Sequence, residues 1–133
     1  MNLRSQALGA PGWERLAQAV AETVPPSEVD GVWVFAPLRR DANEWGTAVL
    51  SRVDGERRRI YTARYVLAIK GKERGKFESA VQEVGSGPME ALARVLQEAQ
   101  RRTDDEQPPV AVPPAEWFSS VSSTAASTDG APG

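Results

Sequence analysis

Residues 45–84, WGTAVLSRVDGERRRIYTARYVLAIKGKERGKFESAVQEV, decide the fold. Two β-rich runs flank Asp54-Gly55. Asp-Gly is a preferred two-residue hairpin loop, because a type I′ turn needs positive φ at both central positions. A turn there sets Val53 against Glu56 and fixes the register behind it. Leu50 then faces Arg59, Ala48 faces Tyr61 and Gly46 faces Ala63. On the other side Trp45, Thr47 and Val49 face Arg64, Thr62 and Ile60. A third run follows the connection from Gly71 to Gly75 and pairs Ile69 with Phe77, Leu67 with Ser79 and Tyr65 with Val81.

Side chains alternate across a strand, so the two registers agree on which face is which. Ala48, Leu50, Tyr61, Tyr65, Leu67 and Phe77 share a core face that calls for a covering helix. Small Ala48 and Gly46 leave room there for the tyrosine rings. The opposite face carries Trp45, Thr47, Val49, Arg58, Ile60, Thr62 and Arg64. It is too apolar for a plain solvated surface and too charged for a simple core. A mixed face of this kind marks a binding or self-association surface, unless one of the terminal helices covers it.

On the N-terminal side, Trp13, Leu16, Ala17, Val20 and Val24 recur at helical spacing. Pro25-Pro26 end that helix, since proline lacks the donor and disfavours helix in the preceding residue. Asp30-Gly31 reads as a turn, and Val32 to Ala36 as a short first strand. Pro37 places the end of that strand at an edge or an irregularity. Leu38 to Glu44 reads as a connecting loop. On the C-terminal side, Gly85-Ser86-Gly87 reads as a strand-to-helix turn. A second amphipathic helix follows through Met89, Leu92, Val95, Leu96 and Ala99, closed by Arg101-Arg102, where positive charge suits the helix dipole. The predicted fold is therefore α+β, in the order α-β-β-β-β-α: a four-stranded antiparallel meander packed with N- and C-terminal helices.

Residues 1–10 are expected to be a flexible arm, 11–102 a single domain, and 103–133 a disordered tail rich in Pro, Ser, Thr and Ala. The tail contains PPVAVPPAEWF, residues 108–118. Its paired prolines favour an extended conformation. Trp117-Phe118 stand out there, because aromatic residues are depleted in disordered segments. They are candidates for docking on a partner or for folding back onto the domain.

The chemistry available is narrow. The chain has no Cys and no His, which removes thiolate chemistry and the commonest general base and metal ligand. Glu78 and Glu83 are five apart on one strand and point to opposite faces, so they make no acid–base pair. No catalytic or metal-binding signature is found, and no cofactor is expected. Gly85-Ser86-Gly87 matches no phosphate-loop spacing. A net charge of −2 exerts no global pull on nucleic acid. The charge is unevenly spread: residues 39–78 hold 11 basic and 6 acidic groups, which leaves 5 and 12 elsewhere. The arginines at 57–59 and the basic loop from Lys70 to Lys76 sit at opposite ends of one strand, about 40 Å apart. No leader pattern and no run of ~18 apolar residues is seen, which predicts a cytoplasmic protein without a membrane segment. The expected function is a non-enzymatic protein-binding or adaptor module, a homodimer or a partner of another protein, acting through the mixed face or an edge strand. The alternative is a single-stranded nucleic-acid-binding domain using the basic residues of the sheet and its loops.

Overall fold

The computed structural model describes residues 12–103 and 108–119. In chain order they form α1 (Trp13–Thr23), a 3-10 turn (Pro26–Glu28), β1 (Val29–Val34), β2 (Leu38–Arg40), β3 (Asn43–Asp54), β4 (Arg57–Ala68), β5 (Phe77–Gly87), α2 (Met89–Arg102), β6 (Val110–Val112) and α3 (Pro114–Trp117). The α+β class stands, but the sheet has six strands, not four. Its order is β5-β4-β3-β1-β6, with β2 also paired to β3. The expected arm at 1–10 lies outside the described residues.

Both central hairpins form, each displaced from its expected register by two residues in the pairing. Asp54 and Arg57 close the first, so its loop is Gly55-Glu56 and not Asp54-Gly55. Gly55 alone takes positive φ there, at 65°, which fits a turn with glycine at the first central position. Leu50 meets Tyr61, Ala48 meets Ala63, and Gly46 meets Tyr65. In the second hairpin Leu67 meets Phe77 and Tyr65 meets Ser79. A slip of two leaves every side chain on its own face, whereas a slip of one would have inverted the sheet. The observed register suits the side-chain volumes better. A Cβ on Gly46 would lie 1.9 Å from the Tyr65 ring, so the ring occupies the space that this glycine leaves empty.

Two strand segments lie where loops were expected. Leu38–Arg40 pairs with Asn43–Trp45 across a two-residue turn, Asp41-Ala42, in which both residues take positive φ, 53° and 67°. The sequence lacks the glycine that usually announces such a turn. Upstream, Asp30-Gly31 lies within β1, at a bulge between Val29 and Gly31. Together β1 and β2 run along one side of β3, interrupted at Phe35-Ala36-Pro37. Pro37 thus marks the irregularity its missing donor demands.

Each sheet face has its own core. On one face α1 lays Trp13, Leu16, Ala17 and Val20 over Leu50, Ala63 and Tyr65. On the other, α2 covers Phe35, Val49 and Ile60 with Leu92 and Ala99. The first part of the expected tail is structured. Val110–Val112 adds to the edge of β1, and Trp117 and Phe118 are both 4% exposed within the α1 core. Averaged over 31 residues the tail looks polar, but 110–118 carries enough apolar surface to bury. The remainder of the expected tail, 104–107 and 120–133, lies outside the described residues.

Candidate interaction surface

The mixed face is only partly covered, for a reason of length. Strands β3 and β4 have 12 residues each, about 40 Å at strand rise. Helix α2 has 14 residues, about 21 Å at helical rise. It starts beside Arg58, which pairs with Gly87, and runs back along the sheet until Arg102 reaches the neighbourhood of Arg64. Beyond that point the face stays open as a groove of about 680 Å³. Its floor is Trp45, Thr47, Val66 and Ala80, and its rim includes Leu38, Arg64 and Arg102.

The seven residues expected on this surface therefore divide. Trp45, 47% exposed, lines the groove with Thr47 and Arg64. Val49 and Ile60 are wholly buried beneath α2 and present nothing to a partner. Thr62 lies in a smaller cleft of about 330 Å³ along α2, which shares Arg64 and Arg102 with the groove. Arg58 is held by Asp30, whose other carboxylate oxygen accepts a hydrogen bond from Ser51 Oγ at 2.6 Å. Leu38 and Arg102 were not legible as site residues. The first needed the unannounced Asp41-Ala42 turn, and the second needed the path of α2. Trp117 and Phe118, the expected tail contact, are committed to the domain itself.

Five of the eleven basic residues between 39 and 78, namely Arg39, Arg52, Arg58, Arg59 and Lys76, pair with a carboxylate. Arg59 donates to Glu83 at 2.7 Å and lies 3.7 Å from Asp54. That hydrogen bond holds the Glu83 carboxyl below the usual carboxylate range and raises the Arg59 guanidinium. Arg52 is raised by its hydrogen bonds to Tyr61 and to Glu28, the latter at 2.9 Å. Lys76 sits between Glu73 and Glu78, at 3.9 and 3.8 Å. Arg64, exposed on the groove rim, makes no ion pair among the described residues.

The groove abuts β5, an outer strand of the sheet. Ala68 N–H donates to the Lys76 carbonyl at 2.9 Å. By the alternation of an antiparallel ladder, the backbone groups of Phe77, Ser79 and Val81 then point outward. The regular part of this edge ends at a bulge, where Val84 is the extra residue between Glu83 and Gly85. Gly85-Ser86-Gly87, expected as a turn, is the last part of the strand and pairs with Arg58–Ile60. Lys76, Glu78 and Glu83 charge the ends of the regular edge, and Ser79 to Gln82 leave its middle uncharged. The opposite edge of the sheet is blunted: β6 has three residues and is bracketed by Pro109 and Pro113. Comparisons with protein-family models, with curated proteins and with solved structures find no match for this chain.

Proposed function

We propose that the chain is a non-enzymatic protein-binding module that self-associates by antiparallel pairing of β5 with β5 of a second copy. The observation that carries this reading is the contrast between the two sheet edges. An unpaired edge is a template for another strand, and proteins usually blunt it. Here prolines and a minimal strand blunt one edge, while β5 offers the regular stretch Phe77–Glu83 with an uncharged centre. Ala80 lies at the middle of that stretch. A two-fold axis there sets Ala80 against Ala80, and Ser79 against Val81 of the second copy through the outward-facing backbone groups. Glu78 then meets Gln82, so no like charges are directly opposed. The two grooves come side by side across the axis, because Ala80 is part of the groove floor. The joined trough, with Trp45 and Arg64 from each copy, is the surface an adaptor would offer.

Single-stranded nucleic-acid binding is the weaker reading. Arg58 and Arg59, central to the basic cluster that suggested it, already face carboxylates.

The absence of native cysteine makes the test clean. Directly opposed residues outside the hydrogen-bonded pairs have Cα atoms about 4.5 Å apart, which suits a disulfide. Ala80→Cys should oxidise to a covalent dimer at concentrations where the unmodified protein associates, and Arg74→Cys, outside the strand, should not. A protein that stays monomeric across a concentration series, or an Ala80→Cys variant that never cross-links, rejects the proposal.

A further inference from the structure

The segment from Val110 to Phe118 is held in the way that partner peptides are held. Val110, Ala111 and Val112 pair antiparallel with Val34, Trp33 and Val32. Strand addition of this sort draws its affinity from main-chain bonds and its specificity from alternate side chains. Two anchors follow. After the turn of α3, Trp117 packs against the Trp13 indole in a T-shaped arrangement at 5.4 Å between ring centroids, and Phe118 is buried in the same core. Prolines at 108, 109, 113 and 114 restrict the backbone on both sides of the strand, which lowers the entropy lost on docking.

The seat is imperfect in one respect. Among the described residues, the indole nitrogens of Trp13 and Trp117 are both buried without a hydrogen-bond acceptor. Each unsatisfied donor detracts from the docked state, and release of α3 returns both to water. Release also uncovers Val32, Val34 and the whole edge of β1, which then lacks a strand. The geometry points to a peptide-binding site formed by the β1 edge and Trp13, filled by the chain's own Val110–Phe118 and open to the same segment of a second copy. Exchange of an identical element between copies keeps every contact and needs no new surface. The recognised ligand class is an extended Val-x-Val strand followed by a proline-initiated turn with adjacent Trp and Phe. This site lies on the β1 side of the sheet, away from β5, and does not depend on the pairing proposed above.

The test uses the full chain carrying Trp117→Ala and Phe118→Ala, which removes both anchors from the internal segment. A fluorescent peptide with the wild-type residues 108–119 should bind this variant at least tenfold more tightly than it binds the unmodified protein. The peptide carrying the same two substitutions should not bind. A variant that keeps its circular dichroism and yet ignores the wild-type peptide overturns the proposal. A second measurement covers a variant that fails to fold. Unmodified protein, concentrated and warmed towards its unfolding transition, should form dimers that excess wild-type peptide disperses. Pairing through β5 would be indifferent to that peptide. If no dimer forms, or if the dimer is unaffected, the exchange does not occur.

Discussion

The Tyr65 hydroxyl donates to Glu44 Oε2 at 2.6 Å, and Glu44 is completely buried. The other carboxylate oxygen accepts from Arg39 Nε at 2.9 Å. Glu44, which reads as a loop residue in the sequence, instead sits on β3 at the end of the α1 core. The tyrosine reaches it because two glycines, Gly12 and Gly46, leave space around the ring. Trp13 packs edge-on at 5.1 Å and Phe77 stacks at 5.7 Å, with Arg15 over Phe77 at 4.2 Å. Tyr65→Phe keeps the packing and removes the donor to a buried carboxylate. It should cost about 1–3 kcal/mol of stability in urea unfolding.

Gly46→Ala should be at least as damaging. Its Cβ would lie 1.9 Å from the Tyr65 ring, and that ring is packed against Trp13 and Phe77 and must shift to make room. About 3 kcal/mol or more is expected for overpacking at such a site. The double variant Gly46→Ala/Tyr65→Ala should lose much less than the sum of the two single changes, since truncation of the ring removes the clash. Additivity within error would contradict this account.

Burial, and then the hydrogen bond to Glu44, push the Tyr65 phenol above its ordinary value. The sign of the pH effect follows. Below about pH 10 the phenol is neutral in both states, and its contribution is fully present. Above that, the unfolded chain ionises first and binds fewer protons than the native state, so stability falls as pH rises. Melting temperatures measured from pH 8 to 11 should decline more steeply for wild type than for Tyr65→Phe.

Glu83 has the opposite sign. Its folded value is depressed by the hydrogen bond from Arg59. Its contribution is present above the unfolded carboxylate range and is lost as pH falls through the folded value. The pair is exposed, so the effect is small and sensitive to salt. Glu83→Gln should be slightly less stable than wild type at neutral pH, and the gap should narrow progressively as pH falls below about 4.

Ala42 holds φ at 67° in the turn between β2 and β3, a region that disfavours side chains with Cβ by roughly 1–2 kcal/mol. Ala42→Gly relieves that strain and adds freedom to the unfolded chain. The net should be a gain of about 0.5–1 kcal/mol by thermal or chemical denaturation. Asp41, at φ 53°, tolerates its conformation better, because its short polar side chain can bond locally.

The sequence by itself determined the two hairpins, the two amphipathic helices and which side chains share a face. Those features have periods of two or 3.6 residues and are written locally. They also survive a register error of two, which is why Tyr65, Leu50 and Ala48 face α1 even though every opposed pair differs from expectation. Tertiary structure decided the rest. The volume of Tyr65 against Gly46 selected the register. A turn without glycine at Asp41-Ala42 made strands of an apparent loop and carried Leu38 to the groove. The length of α2, shorter than the strands beneath it, buried Val49 and Ile60 and left Trp45 and Arg64 open. Trp117 and Phe118 showed in the sequence as aromatic residues out of place. Only the edge of β1 and the face of Trp13 that they cover could say where they belong, because a docking site for one segment is assembled by residues more than seventy positions away.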